Sequence, residues 1–282
     1  LKFYLDPEKY QNGSWTFIVS AGSIQHRLTR YKAATKPTLP KSFVSGVYAV
    51  NSTDLRRVRD LGANAAYYDF PVLNWDRNYK AIGYYLDSCQ KLGLQSVVRM
   101  GYQASKGNLE FVSDLSKSNI AWYAVDEGAG LFGGLERNYW TCKATNPTVP
   151  VIVNLNQFSR INEASQYSDI VMLNIYSSGR VVYDITSQSV KLRPTWVTIP
   201  QYANIQYSRD QMLNLTAQAV VAGASGVWFF EWDHRTKSNL SDWYTPNNPE
   251  KVENLRVCLK WLKDMPIDWS PIPTVNPNIV AC

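Results

Sequence analysis

From Phe43 onward, short apolar runs rich in β-branched and aromatic residues alternate with longer stretches whose apolar positions recur at helical spacing. The runs Phe43 to Val50, Ala65 to Phe70, Gln95 to Met100, Ile120 to Val125, Val149 to Leu155, Asp169 to Ile175, Thr195 to Ile199 and Gly226 to Phe230 have strand length. Helix-period segments lie between them. One opens at the cap-like Ser52-Thr53-Asp54 and ends at Leu61-Gly62; another runs from Tyr79 to Leu92 and stops at Gly93. The longest are Arg209 to Ala222, closed by Gly223, and Glu250 to Lys263, opened by Asn248-Pro249. Eight strands alternating with helices predict an α/β fold, a (β/α)8 barrel in which a parallel sheet closes inside a ring of helices. An open doubly wound sheet of eight strands fits the same alternation, because closure leaves no mark on the pattern.

This places a single barrel domain at residues 43–265. Residues 1–42 hold one apolar run, Trp15 to Val19, and predict an N-terminal extension, a lid or extra strand packed on the barrel. Residues 266–282 form a Pro-rich tail with Pro266, Pro271, Pro273 and Pro277. A length of 282 residues suits one such domain, since barrels of roughly 250 residues are ordinary.

Composition narrows the class. Hydrophobic residues at 45% and charged residues at 18% supply a sizeable core and argue against a disordered chain. The longest mostly apolar stretches, such as Val149 to Leu155 and Gly226 to Trp232, fall far short of the roughly 20 residues that span a bilayer, so no membrane insertion is expected. The net charge of +6 is dispersed. Its densest cluster, Arg56, Arg57 and Arg59, shares a predicted helix with Asp54 and Asp60, and reads as a solvated face rather than a nucleic-acid surface.

Cys89, Cys142, Cys258 and Cys282 allow three complete pairings and lack zinc or redox spacing. A bond from Cys258 to Cys282 would tie down the tail; four buried thiols are the other reading. Acceptor sequences at Asn12, Asn51, Asn214 and Asn239, with a chain that starts at Leu1, lean towards a glycosylated protein that is secreted or held at the cell surface. Nothing in the sequence fixes an oligomeric state.

Reactive groups of a barrel sit where the strands end and the βα loops converge. The predicted ends carry Asp69, Arg99, Asp126 with Glu127, Asn154 with Asn156, Asn174 with Tyr176, Gln201 with Tyr202, and Glu231 with Asp233. Polar groups at nearly every strand end suit a saccharide, whose hydroxyls each need a partner once water leaves. Trp228 and Trp232, with Trp75 and Trp243, offer flat apolar faces for a pyranose, although core packing accounts for a tryptophan more often. Asp126-Glu127 leaves an apolar strand beside Trp122 and Tyr123, where burial and a charged neighbour raise a carboxyl pKa towards that of a general acid.

The segments Trp122 to Glu127, Pro150 to Leu155, Asp169 to Tyr176, Pro194 to Gln201 and Gly223 to Phe230 together resemble successive strands of TIM-barrel glycoside hydrolases, over about residues 43 to 264. The resemblance implies Glu127 as acid/base. The large retaining clan ends strand seven on a nucleophilic Glu, where this chain has Gln201, which cannot form a glycosyl ester. Glu231 is then the best carboxylate partner, with Asp69 and Asp233 behind it. A separation of about 5 to 5.5 Å would give retention and about 6.5 to 9.5 Å inversion. Alternatively Asp126 orients a substrate acetamide while Glu127 donates the proton, as in hydrolases of N-acetylated sugars. A non-catalytic carbohydrate-binding or structural barrel is the reading from another class.

Three further signals change little. Gly128 to Gly133 matches GxGxxG, but the preceding Asp126 and Glu127 would repel a pyrophosphate, so the glycines read as a loop. His26 and His234 are too few for a zinc pattern, and no metal or other cofactor is implied. Arg99 reads as an orienting partner for Asp126 or Glu127.

Overall fold

A computed structural model of the protein describes residues 13–21, 24–32, 40, 42–68, 79–99, 119–125, 132–177, 179–201, 207–230, 232 and 245–265. The first two strands, β1 (Gly13–Ala21) and β2 (Ile24–Lys32), pair antiparallel as a separate hairpin with Ala21 opposite Ile24. Then come β3 (Val44–Val47), α1 (Leu55–Asp60), β4 (Ala65–Tyr68), α2 (Tyr79–Lys91), β5 (Gln95–Arg99) and β6 (Asn119–Val125). The second half supplies α3 (Phe132–Thr145), β7 (Val151–Leu155), α4 (Ile161–Gln166), β8 (Ile170–Asn174), α5 (Gly179–Ser189), β9 (Thr195–Pro200), α6 (Arg209–Val221), β10 (Gly226–Phe230) and α7 (Pro249–Asp264). Strands β3 to β10 run parallel, each beside its sequence neighbours, and β10 pairs with β3 to close the ring. Closure separates this architecture from the open sheet, and leaves no edge strand exposed within the ring.

Side chains of a strand alternate faces, so the ring has two cores. Val44, Ala65, Tyr67, Val97, Ile152, Ile170, Met172, Trp196 and Trp228 join Tyr48 in the inner one. Their immediate neighbours, including Ala66, Val98, Val153, Val171, Val197 and Val227, join the outer core beneath the helices. This explains why the strands read as unbroken apolar runs: both faces are covered. The helices meet the outer core through one stripe each. On α7 that stripe is Lys251, Asn254, Leu255, Cys258, Leu259 and Leu262, all buried.

Several expectations shift on contact with the structure. The N-terminal region contains two strands rather than one; Ile24–Lys32 went unread because its apolar positions are separated by His26, Arg27 and Arg30. A signal was present in Gly22-Ser23, a two-residue turn sequence between the runs. Helix α1 is not capped by the side chain of Asp54; the preceding turn is held by Asn51, whose Oδ1 accepts from the Thr53 and Asp54 amides at 3.0 and 3.1 Å. Gly133 belongs to the first turn of α3 and not to the loop before it. Cys258, expected to bond Cys282, is a free, fully buried thiol on the barrel-facing stripe of α7, and Cys89 and Cys142 are also free and buried; Cys282 lies outside the described residues. The Pro-rich tail lies outside the described residues.

Candidate functional site

The C-terminal end of the ring is built from the last inward-facing position of each strand. Alternation from Ile152, from Ile170 and Met172, and from Trp196 places Asn154, Asn174 and Thr198 on the inner face of β7, β8 and β9. All three are buried, and Asn174 is the register neighbour of Thr198. Across the ring stand aromatic rings. Tyr48 packs 4.8 Å from Tyr67, 5.4 Å from Phe230 and 5.5 Å from Trp228, measured between ring centroids. The Tyr48 hydroxyl donates to the Met172 sulfur. Among the described residues, one side of the ring's end is thus amide and hydroxyl, and the other aromatic.

Below this layer the barrel is plugged. Trp196 and Trp228 pack at 5.5 Å, both essentially inaccessible. Trp228 is therefore interior packing, as the commoner role for a tryptophan anticipates. Trp232 is equally buried but belongs to the outer core, with the exposed Arg57 guanidinium 5.4 Å over its ring. Neither indole presents a face at the surface. Among the described residues, Thr198 Oγ1 and Trp228 Nε1 are buried without a hydrogen-bond partner, and the two residues are register neighbours.

The remaining sequence candidates divide by where they fall. Asn156 and Tyr176 follow β7 and β8 and are exposed. Arg99 is the last residue of β5, opposite Tyr123 of β6. Asp69, Asp126, Glu127, Tyr202, Glu231 and Asp233 lie outside the described residues, as do Trp75, Trp243 and His234. By sequence, Asp69 directly follows β4, Asp126 directly follows β6 and Glu231 directly follows β10.

Gln201 has a different environment from the one its sequence position suggested. Trp196 and Thr198 face inward, so Gln201 falls on the outward side of the chain leaving β9. It is buried, and its Nε2 donates to the Lys251 carbonyl in the first turn of α7 at 2.6 Å. The amide holds the last helix against the end of the ninth strand. Sequence reasoning also missed Lys251 itself, a lysine only 8% exposed whose pKa is lowered by burial. Its one signal was its place in the apolar stripe of α7.

Among the described residues no group of three or more His, Cys, Asp or Glu side chains is placed to hold a metal ion, and no helix is long and apolar enough to cross a membrane.

No family model and no curated protein matches the chain. Solved structures do. GH5_18 from Streptomyces cattleya, determined in complex with GlcNAc, shares 10% identity with a TM-score of 0.62 over 82% of this chain and 82% of its own. The endo-1,4-beta-mannanase of Rhizomucor miehei shares 8% identity with a TM-score of 0.60 over 82% of this chain and 99% of its own. The endo-beta-1,4-mannanase of Thermotoga petrophila shares 12% identity with a TM-score of 0.53 over 80% and 78%. The chain thus has the parallel, helix-covered barrel fold found in glycoside hydrolases, and at these identities the likeness is one of fold.

Proposed function

We propose that the protein is a glycoside hydrolase acting on a polysaccharide or glycan at the C-terminal end of its barrel. The observation that carries this reading is the arrangement there of Asn154, Asn174 and Thr198 on three successive strands facing Tyr48, Tyr67 and Phe230. Amides and hydroxyls match saccharide hydroxyls, while aromatic faces match the C–H face of the ring. Fold neighbours that include mannanases support it. In this proposal Glu127 is the proton donor, Glu231 its carboxylate partner, and Asp126 orients one or other. Asp69, Arg99, Asn156, Tyr176, Tyr202 and Asp233 line the substrate. Gln201 has no carboxylate and its amide is engaged by the Lys251 carbonyl, which supports taking the second carboxylate from another strand. The hairpin packed as an extension, the secreted location and glycosylation are proposed with it.

A screen of wild-type protein against a broad set of glycans, with Glu127→Gln in parallel, tests the reading. Hydrolysis of at least one glycan, lowered by about 10²-fold or more in Glu127→Gln with binding retained, supports it. Binding of a glycan that neither protein cleaves replaces the enzyme with a carbohydrate-binding barrel.

A further inference from the structure

Between the end of β9 and the N-termini of α6 and α7 lies a cavity of about 220 Å³, on the outward side of the strand end that carries Gln201. Both helices are long enough, at 13 and 16 residues, to present a positive N-terminal field. Their caps leave an excess of donors. Ser208 Oγ accepts from the Gln211 amide at 3.3 Å, and Gln211 Oε1 accepts from the Ser208 amide at 2.9 Å. Asn248 Oδ1 accepts from the Lys251 amide at 3.1 Å. Each cap consumes an oxygen and spares the donor on the same side chain: the Ser208 hydroxyl hydrogen and the Gln211 and Asn248 NH2 groups. All three residues line the cavity.

Lys251 is the independent observation. It lines the same cavity from the barrel-facing stripe of α7 and is 8% exposed. Its hydrogen bonds among the described residues are made by its backbone alone, and its ammonium has neither an acceptor nor a carboxylate. A cation in the first turn of a helix, beside a second helix N-terminus, stands in an unfavourable field. Burial pushes its pKa down, as expected for a charge without a counterion. The carboxylate nearest in sequence, Glu250, also lines the cavity and is exposed.

We propose that this cavity binds a tetrahedral oxyanion, a phosphate or sulfate group, with the Lys251 ammonium as its main ligand and the Ser208, Gln211 and Asn248 donors around it. Two helix N-termini, one unpaired cation on a side chain only 8% exposed, and three spared donors all favour negative charge at this place. A tetrahedral group, with acceptors in several directions, suits donors arriving from two helices. The site is independent of glycan hydrolysis, because Gln201 separates it from the inner face of the ring.

The test is thermal unfolding of the full chain in inorganic phosphate, in sulfate and in acetate, each against chloride at equal ionic strength, for wild type, Lys251→Met and Lys251→Gln. Phosphate or sulfate should raise the wild-type midpoint beyond chloride and acetate in a saturable way, and both variants should lose at least about tenfold in apparent affinity. Isothermal titration of the wild type with whichever anion acts gives the same answer without a variant. No saturable binding by either anion, or equal binding by both variants, overturns the proposal; a response to acetate as strong as to phosphate replaces the tetrahedral group with a carboxylate.

Discussion

Trp228 occupies the space that a side chain on Gly46 would need. The two residues are register neighbours across the β10 to β3 pair that closes the ring, and a Cβ at position 46 would lie 2.3 to 2.4 Å from three indole carbons. The same device recurs one strand away, where a Cβ on Gly226 would lie 2.7 Å from Trp196. Two large indoles fit the interior because the register-neighbouring positions, 46 and 226, carry no side chain. Gly46→Ala should therefore destabilise by about 1–3 kcal/mol or more, since backbone and indole must both shift. Gly134 in α3 is the contrast: nothing lies within 4 Å of a Cβ there, and Gly134→Ala should stabilise by about 0.5–1 kcal/mol through helix propensity. Urea unfolding of both variants reads the difference, and equal midpoints would refute the packing argument.

At the opposite end of the barrel, Lys143 and Asp169 form a buried ion pair. Asp169 also accepts from the Val151 amide at 2.9 Å and the Tyr139 hydroxyl at 3.2 Å, and Lys143 donates to the Val149 carbonyl at 3.1 Å. The network ties α3 to the entry of β7 and β8, on the face of a barrel that serves stability rather than chemistry. Removing one partner strands the other charge in the interior. Asp169→Asn and Lys143→Met should each cost about 3–5 kcal/mol, while the double replacement should cost less than the sum. A double-mutant cycle showing simple additivity would count against a coupled pair.

What the sequence disclosed follows from which forces were local. The strand spans were legible because burial on both faces writes continuous apolar runs; Gly226 to Phe230 falls where it was expected, and Arg209 starts α6 as expected. The structure shows the local reason for that start, a capping box between Ser208 and Gln211. Gln201 was misplaced because its sequence position marks a strand end, whereas its environment depends on the side of the chain it occupies and on a carbonyl 50 residues away. Lys143 and Asp169 were invisible for the same reason: they are separated by 26 residues, and only folding joins them. The acids proposed for catalysis fall outside the described residues, so for them the sequence remains the guide.

The buried thiols make stability fall on the alkaline side. Burial raises Cys89 and Cys258 to about 12, and raises Cys142 further; it also raises the Tyr139 hydroxyl, helped by the Asp169 charge. Below about pH 8.5 folded and unfolded chains both keep the thiol protons, and this contribution is constant. Above it the unfolded chain releases protons that the native state retains, so each thiol lowers stability by up to about 1.4 kcal/mol per pH unit until the folded value is passed. Chemical denaturation between pH 8 and pH 11 should show this slope, and Cys258→Ala should flatten it. The same burial makes the native thiols inert. A thiol reagent should label none of the three at neutral pH in the native state and all three after denaturation without reductant. Failure of Cys258 to react then would restore a disulfide at that position.

Gln201→Glu tests whether the strand-nine position can act as a nucleophile. If the residue faced a bound saccharide, a carboxylate there would create or raise hydrolysis. Its amide instead donates 2.6 Å to the Lys251 carbonyl from a buried position, and glutamate would set an oxygen against an oxygen. The expected outcome is a loss of about 1–3 kcal/mol in stability, from one donor removed and one buried carbonyl left without it. Hydrolysis of any glycan should not exceed the wild-type rate. Gln201→Met, which removes donor and acceptor alike, should lose stability too, and neither variant should alter which glycans are bound. A gain of hydrolysis in Gln201→Glu would place the side chain in the barrel mouth and show that a carboxylate at the end of β9 can serve as nucleophile.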